Sequence, residues 1–302
     1  MSNKGKKLLL VGDNPFHGIS HLSQERGRVR GDAMTHPEYA ANLVVTSLEN
    51  GADGFMFSVS ELTLSILKTI RKMRVGDKRL RLYAIVPYMF EYVRLAAQIG
   101  MPGLTKKFAK QIVVSRNLKA IATGLKGVIR TDPVTLMKTY LRYEISRIKS
   151  SAGKQGNLDS VMLHEVVTDM ALALDLDWLF KSHVEFMLEF GIKPGFNTRN
   201  FTYLVNKFKE WSIDLRETVI ATPFNKVGFQ MNPSRTECES ALGNILEPNV
   251  IAISILAAGY LEPTEAIDYI ANLPNIMGVA VGVSKEKHTH ETFKLLKRRL
   301  EQ

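Results

Sequence analysis

The chain has 302 residues, 45% of them hydrophobic, which is enough for a large buried core, and α/β barrels routinely reach about 250 residues as one domain. Its one cysteine, Cys238, excludes an internal disulfide and indicates a reducing compartment. The apolar run Leu8–Val11 is too short for a signal peptide or a membrane span, so we expect a cytoplasmic protein without a transmembrane segment.

Eight short apolar runs recur along the chain, and each is followed by a polar cluster and a helical pattern. Continuous apolar strands are typical of a parallel sheet covered by helices on both faces. The predicted strands are Leu8–Val11, Gly54–Val59, Leu82–Val86, Ser160–Leu163, Gly195–Asn197, Thr218–Ala221, Val250–Leu256 and Met277–Val283. The predicted helices between and after them are Glu38–Asn50, Ser60–Met73, Asp132–Lys149, Asp177–Phe190, Asn200–Trp211, Ser234–Leu246, Pro263–Asn272 and Lys285–Leu300.

Eight strand–helix units predict an α/β fold of the (β/α)8 TIM barrel type, as a single domain over residues 1–302. A doubly wound open sheet is the alternative. The barrel is favoured because the count is eight and no Gly-x-Gly-x-x-Gly turn follows the first strand.

The segment between the third and fourth strands is longer than a barrel needs, and residues 102–130 are predicted to form a basic helical insertion. The net charge of +10 is concentrated here, because residues 92–131 contain no acidic residue. The insertion is interpreted as a lid or a homo-oligomer contact, as a positive rim that attracts an anionic substrate, or as a contact for a membrane surface or nucleic acid. No aromatic interleaving or known motif supports nucleic-acid binding.

Polar, titratable residues follow the first and fourth strands, where a barrel opens to substrate. The catalytic candidates are Asp13, Asn14 and His17 after the first strand, and His164 and Glu165 after the fourth. Histidine carries protons near neutral pH, and successive strand residues face opposite sides, so only one of His164 and Glu165 should face the mouth. A divalent metal held by His17, His164 and Glu165 is an alternative.

Two further groups of residues after strands predict binding functions. Asn197 and Arg199 follow the fifth strand, and Asn225 and Lys226 follow the sixth; we expect all four to bind polar groups of a substrate. The turns after the last two strands contain Gly259, Gly282, Ser284 and Lys285, which we expect to hold an anion or phosphate. Glycine allows close approach to the backbone, and the N-terminus of a helix favours negative charge.

The segment "AISILAAGYLEPTEAIDYIANLPNIMGVAVGVSKEKHTHETFKLL" resembles the closing part of aldo-keto-reductase-like barrels, and His164 resembles their active-site histidine. The resemblance implies the barrel fold and a cofactor-phosphate site at the Gly-x-Ser turn. The other hallmarks of that family are an aspartate and a tyrosine near the second strand and a lysine after the third, and they are absent from "FSVSEL" and "AIVPYM".

Three functions are therefore hypothesised. The first is an enzyme that acts on a small phosphorylated or carboxylated metabolite by acid–base chemistry, of the lyase or isomerase type. The second is a divergent NAD(P)-dependent oxidoreductase on the same fold. The third is a non-catalytic barrel that binds a metabolite or a polyanion. The residues leave the cofactor open between NADP, a divalent metal and none.

Overall fold

The computed structural model describes residues 6–18, 36–73, 79–89, 132–245 and 249–300. Eight strands form a closed barrel in which each strand pairs with the next along the chain and β8 returns to β1. Every pairing is parallel. The strands are β1 (Leu8–Gly12), β2 (Gly54–Ser58), β3 (Leu80–Val86), β4 (Gly156–Leu163), β5 (Lys193–Asn197), β6 (Val219–Pro223), β7 (Val250–Ile253) and β8 (Ile276–Gly282).

Nine α-helices occur in the described part of the chain. They are α1 (Pro37–Glu49), α2 (Glu61–Met73), α3 (Pro133–Ala152), α4 (Glu165–Ala173), α5 (Asp177–Glu189), α6 (Phe201–Glu210), α7 (Arg235–Gly243), α8 (Pro263–Asn272) and α9 (Glu286–Leu300). The predicted (β/α)8 barrel is confirmed, and the open doubly wound sheet is wrong because β1 and β8 are hydrogen-bonded to each other.

The barrel has two apolar layers that follow from strand alternation. One side chain of each alternating pair fills the inside of the barrel, and the other packs outward against the helices. The interior cluster consists of Leu8, Leu10, Met56, Tyr83, Ile85, Met162, Val219, Ala221, Ile251 and Ala280. The outer layer is larger and includes Phe55, Phe57, Phe180, Phe196 and Phe208, all fully buried.

The structure differs from the predicted elements at two backbone reversals, one after β4 and one at the end of β7. The short helix α4 was not predicted; it follows β4 directly and is separated from α5 by Asp175, whose φ of 55° breaks the helical path. Strand β7 ends at Ile253 rather than Leu256, because Ser254 has a φ of 53° and leaves the extended conformation. Both breaks are local backbone reversals at residues other than glycine, which sequence periodicity does not mark.

No helix within the described ranges is long and apolar enough to cross a membrane. The basic segment 102–130 lies outside the described residues. Its helical structure, its contact with a second copy of the chain and its polyanion binding therefore stay predictions, as does the single-domain boundary.

Candidate active site

The alternation of the interior cluster decides which side chains reach the C-terminal mouth of the barrel. Continuing the inward positions by one step places Gly12, Ser58, His164, Asn197 and Gly282 around the opening. Two of these positions, on β1 and β8, are glycine, and the positions on β2, β4 and β5 carry polar side chains. The mouth is therefore polar along β2, β4 and β5.

Asp13 is a buried carboxylate that joins the ends of β1 and β2. The residue is 4% exposed, and Oδ2 accepts the backbone N–H of Ser58 at 2.7 Å. The same oxygen lies 3.1 Å from Nε2 of His17. These hydrogen bonds satisfy a carboxylate whose burial without partners would be costly.

His17 is held in the mouth by Asp13, which follows β1, and by Tyr88, which follows β3. It ends the 3-10 turn Asn14–His17, which directly follows β1, and its ring stacks on Tyr88 with the ring centroids 4.6 Å apart. Tyr88 lies two residues beyond the end of β3. Asn14, which begins the turn, is exposed. The turn therefore presents His17, and not Asn14, to the neighbouring strands.

His164 lies at the end of β4 and occupies the N-cap position of α4. Its Nδ1 accepts the backbone N–H of Val166 at 3.2 Å, and the residue is 5% exposed. Burial lowers the pKa of His164, while the charges of Glu165 and Asp13 partly oppose this effect. The imidazole is therefore neutral at pH 7, and because Nδ1 is an acceptor, the proton of the neutral ring is on Nε2.

Glu165 belongs to a network that joins α4 to the loop after β5. Its carboxylate pairs with Nη2 of Arg199. In the next turn of α4, Asp169 accepts the hydroxyl of Thr198 and, at 3.2 Å, the backbone N–H of Arg199. Of the predicted pair, it is His164 that continues the interior face of β4, whereas the Glu165 carboxylate is occupied by an arginine.

Two buried polar atoms near the mouth have no hydrogen-bond partner among the described residues. They are Oδ1 of Asn197, an acceptor on the last residue of β5, and Nε of Arg199, a donor two residues later. A buried polar atom without a partner costs about 1–3 kcal/mol, so such atoms often mark the position of a bound group. This pair could receive one ligand donor and one ligand acceptor.

The two candidates after β6 lie in different settings from the rest. Asn225 is fully buried, but its side chain bridges its own loop: Nδ2 donates to the carbonyl of Phe229 at 2.8 Å and Oδ1 accepts its N–H at 2.7 Å. Lys226 is exposed and forms an ion pair with Glu265 on α8 at 2.6 Å. Neither side chain is brought to His164 by these contacts.

The anion candidates occupy the loops after β7 and β8. Gly259 is exposed in a 3-10 turn, with a φ of 89° that favours glycine. Gly282 is opposite Gly12, and a methyl group added to it would lie 2.8 Å from the ring of Pro15, so its lack of a side chain has a packing reason. Helix α9 begins at Glu286, which puts exposed Lys285, rather than Ser284, in the N-cap position.

The hypothesis of a metal held by His17, His164 and Glu165 is wrong, because these side chains do not assemble into a ligand set. No group of three or more histidine, cysteine, aspartate or glutamate residues suited to a metal ion occurs among the described residues. Nε2 of His17 faces a carboxylate, Nδ1 of His164 accepts an amide and Glu165 pairs with an arginine.

Sequence reasoning overlooked Tyr88 and Asp169 as site residues. Tyr88 directly follows Pro87 at the end of a strand, so its position after β3 was a usable signal. Asp169 follows the fourth strand closely, but only the folded chain brings it to Thr198, 29 residues later.

The similarity of this chain to known proteins lies in its fold. The sequence matches no protein-family model and no curated protein. Its fold is similar to two solved structures from Pseudomonas aeruginosa that carry a provisional assignment as aldo-keto reductases. They are 11% and 10% identical in sequence, each with a TM-score of 0.58 over 99% of this chain and 94% and 93% of theirs. The likeness concerns the fold alone, and the chain shares the TIM barrel of these structures.

Proposed function

We propose that the protein is an NAD(P)-dependent oxidoreductase that acts on a carbonyl or hydroxyl group held beside His164 at the mouth of the barrel. The likeness in fold extends over 99% of the chain, and both solved structures carry a provisional reductase assignment. At that level of identity the likeness supports a fold, so the argument for the reaction rests on the site.

The buried, neutral imidazole of His164 is the observation that carries this proposal. Because the amide of Val166 occupies Nδ1, the ring is fixed in the tautomer that donates from Nε2. Burial keeps it uncharged at neutral pH by lowering its pKa. A fixed N–H donor stabilises a carbonyl oxygen as negative charge develops on it, without losing its own proton.

The pair of Asp13 and His17 supplies a group that can move a proton. With Nε2 of His17 directed at the Asp13 carboxylate, 3.1 Å away, Nδ1 is the ring atom that exchanges a proton with substrate or water. The buried carboxylate fixes the orientation of the ring. Stacking on Tyr88 restricts the ring further.

The residues around the mouth fit a nicotinamide dinucleotide. The unpartnered Oδ1 of Asn197 can accept a carboxamide N–H, and the unpartnered Nε of Arg199 can donate to a carbonyl or phosphate oxygen. Lys285 adds positive charge where α9 begins, which favours a phosphate group. When bound, the nicotinamide ring supplies or accepts the hydride.

This assignment requires a distribution of roles different from that of the reductase family. Ser58 ends β2 and Tyr88 follows β3, so neither position offers the aspartate or lysine of that family. The proton-carrying groups come instead from the turn after β1, in the form of Asp13 and His17. The hydrogen-bond donor after β4 is the element that the two arrangements share.

The proposal is tested by binding and turnover measurements on the full chain. We expect NADPH or NADH to bind, seen as a thermal shift and as enhanced cofactor fluorescence, and to support reduction of some member of a panel of small aldehydes and ketones. His164→Gln should leave cofactor affinity within a few-fold and lower kcat about 100- to 1,000-fold. His290→Gln, on the exposed face of α9, is the matched control and should change neither. Absence of binding by both cofactors at millimolar concentration would contradict the proposal.

A second candidate is the cofactor-independent lyase or isomerase acting on an anionic metabolite. The Asp13–His17 pair favours it, because this pair together with His164 offers an acid–base couple that needs no hydride. Its signature would be exchange of solvent deuterium into small keto acids or sugar phosphates without a nicotinamide, followed by NMR. Exchange that is lost in His17→Gln supports this candidate, and absence of exchange over the whole panel removes it.

A further inference from the structure

A basic cleft occupies the floor of the barrel, at the N-terminal ends of the strands and opposite the candidate active site. It has a volume of 570 Å³, within the range of about 300–1,000 Å³ that is usual for small-molecule sites. Its walls come from the first residues of β3, β4, β5, β6 and β8. The residues that matter here are Arg79, Arg81, Lys193, Asn157, Asp159 and Tyr83.

Among the described residues that line the cleft, the single carboxylate is already paired. Asp159 forms an ion pair with Nε of Arg81 and also accepts a hydrogen bond from the side-chain amide of Asn157. Nη2 of Arg81 donates to the hydroxyl of Tyr83 at 2.9 Å. This part of the floor is explained by structure alone, because it closes the bottom of the barrel with paired polar groups.

Arg79 and Lys193 are not explained in the same way. Both line the cleft and both are exposed, and neither forms an ion pair with any described residue. The hydrogen bond that Lys193 makes, at 3.4 Å, is to the neutral amide oxygen of Asn249. The cleft therefore holds two positive charges in excess of its carboxylate, and a dianion would neutralise both.

The positions of the cations suit a phosphate group. Arg81 and Lys193 lie on strands of the closed barrel, and Arg79 immediately precedes β3, so all three extend from the same end of the barrel. Guanidinium groups bind phosphate oxygens in pairs, and lysine adds a point charge. Val219 and Met277 form an apolar wall that can contact the organic part of a phosphate ester.

We propose that the floor cleft is a binding site for a phosphate group, either free or esterified to a small metabolite, carried by Arg79, Arg81 and Lys193. The site is independent of the reaction proposed for the mouth. Because the three cations are exposed, its affinity depends strongly on ionic strength. Occupancy stabilises the folded protein in proportion to the logarithm of the ligand concentration.

The test uses the full chain at low ionic strength, with inorganic phosphate and glycerol 3-phosphate as probes in calorimetric titrations. We expect at least one probe to bind, and the double variant Arg79→Gln/Lys193→Gln to weaken that binding at least about 10-fold. Lys68→Gln/Lys294→Gln is the matched control, since it removes the same charge from exposed positions on α2 and α9. Binding in this control should stay within about twofold of wild type.

The outcomes distinguish free phosphate from a phosphate ester, and the floor cleft from other sites on the protein. Binding of the ester alone identifies an esterified ligand, and equal binding of both probes identifies the phosphate group itself; both support the proposal. Equal weakening in the control shows a general charge effect and overturns it, as does unchanged binding in the floor variant. Loss of binding in Lys285→Gln instead would move the phosphate to the mouth and also overturn it.

Discussion

Two carboxylates join β1 to β2, one at each end of the barrel, and their surroundings differ. Asp53, at the floor, accepts the backbone N–H of Leu9 at 3.0 Å and pairs with exposed Lys6 at 3.1 Å. Asp13, at the mouth, accepts the N–H of Ser58 at 2.7 Å and faces His17. The Asp53 side chain is 24% exposed and that of Asp13 is 6% exposed.

The comparison shows which features are needed to join the two strands and which are present only at the mouth. To join two strands in this way, a carboxylate on one accepts a backbone N–H of the other. At the floor, the second partner of that carboxylate is a solvent-exposed lysine, which is sufficient there. At the mouth the partner is an imidazole and the pair is buried. A buried aspartate–histidine pair exceeds what the junction of two strands requires, which is why we assign it to chemistry.

The largest expected effect is a loss of folding stability at low pH. It distinguishes the histidines at the mouth from a histidine in the wall of the barrel. His183 on α5 is fully buried against the carbonyl of Val161, 3.1 Å away, and burial lowers its pKa to about 4. The unfolded chain protonates this histidine near pH 6.5, before the folded protein does. The stability that neutral His183 provides is therefore complete above pH 6.5 and is lost as the pH falls from 6.5 to 4.

Urea unfolding of wild type and His183→Gln across that pH range measures this loss. The difference between their free energies of unfolding should change by about 3 kcal/mol, with the wild type losing its advantage at low pH. The His164→Gln variant should show a smaller change, because His164 is less buried. If His164→Gln shows the larger change, the loss of stability at low pH arises from the mouth and not from His183.

The next effect compares the two carboxylates directly. Asp13→Ala leaves the amide of Ser58 buried without its acceptor and removes the partner of His17, so we expect a loss of about 2–3 kcal/mol of stability. Asp53→Ala acts where water can replace the carboxylate and should cost about 1 kcal/mol or less. Denaturant unfolding at pH 7 gives both values, and equal losses would show that the mouth is not special.

The smallest effect tests the packing of the mouth at two facing glycines. Gly282→Ala brings a methyl group to 2.8 Å from the ring of Pro15 and should cost about 1 kcal/mol. Gly12→Ala is the matched control, because its added methyl group meets the Gly282 backbone at an ordinary 3.5 Å. In thermal unfolding, Gly282→Ala should have a lower Tm than Gly12→Ala. The reverse order would mean that the turn containing Pro15 moves to accommodate the methyl group at little cost.

Much of the fold could be read from local pattern. The helix Pro263–Asn272 was predicted to the residue, and the other predicted helices that the structure describes begin or end within a few residues of the observed ones. The strands β4 and β5 were predicted too short at their floor ends, because Asn157, Asp159 and Lys193 break the apolar run there. Those same polar residues line the floor cleft.

The candidate site was less accessible to such reasoning. Strand ends indicated that Asp13, His164 and Asn197 lie near the mouth, since parallel strands end on one rim. They could not show that Asn225 bonds to Phe229, or that Lys226 pairs with Glu265. Partners of a polar side chain are set by distances between segments far apart in the chain, and one sequence holds no measure of those distances.

By itself the sequence determined the eight strands, their order and the helices predicted between and after them, because apolar periodicity and helix boundaries are properties of neighbouring residues. Only the tertiary structure decided which side chains meet. Closure of β8 on β1 fixed which strand faces point inward, and that parity turned His164 toward the mouth while Glu165 paired with Arg199. The chemistry of the barrel follows from that closure, which is a long-range event with no local mark in the chain.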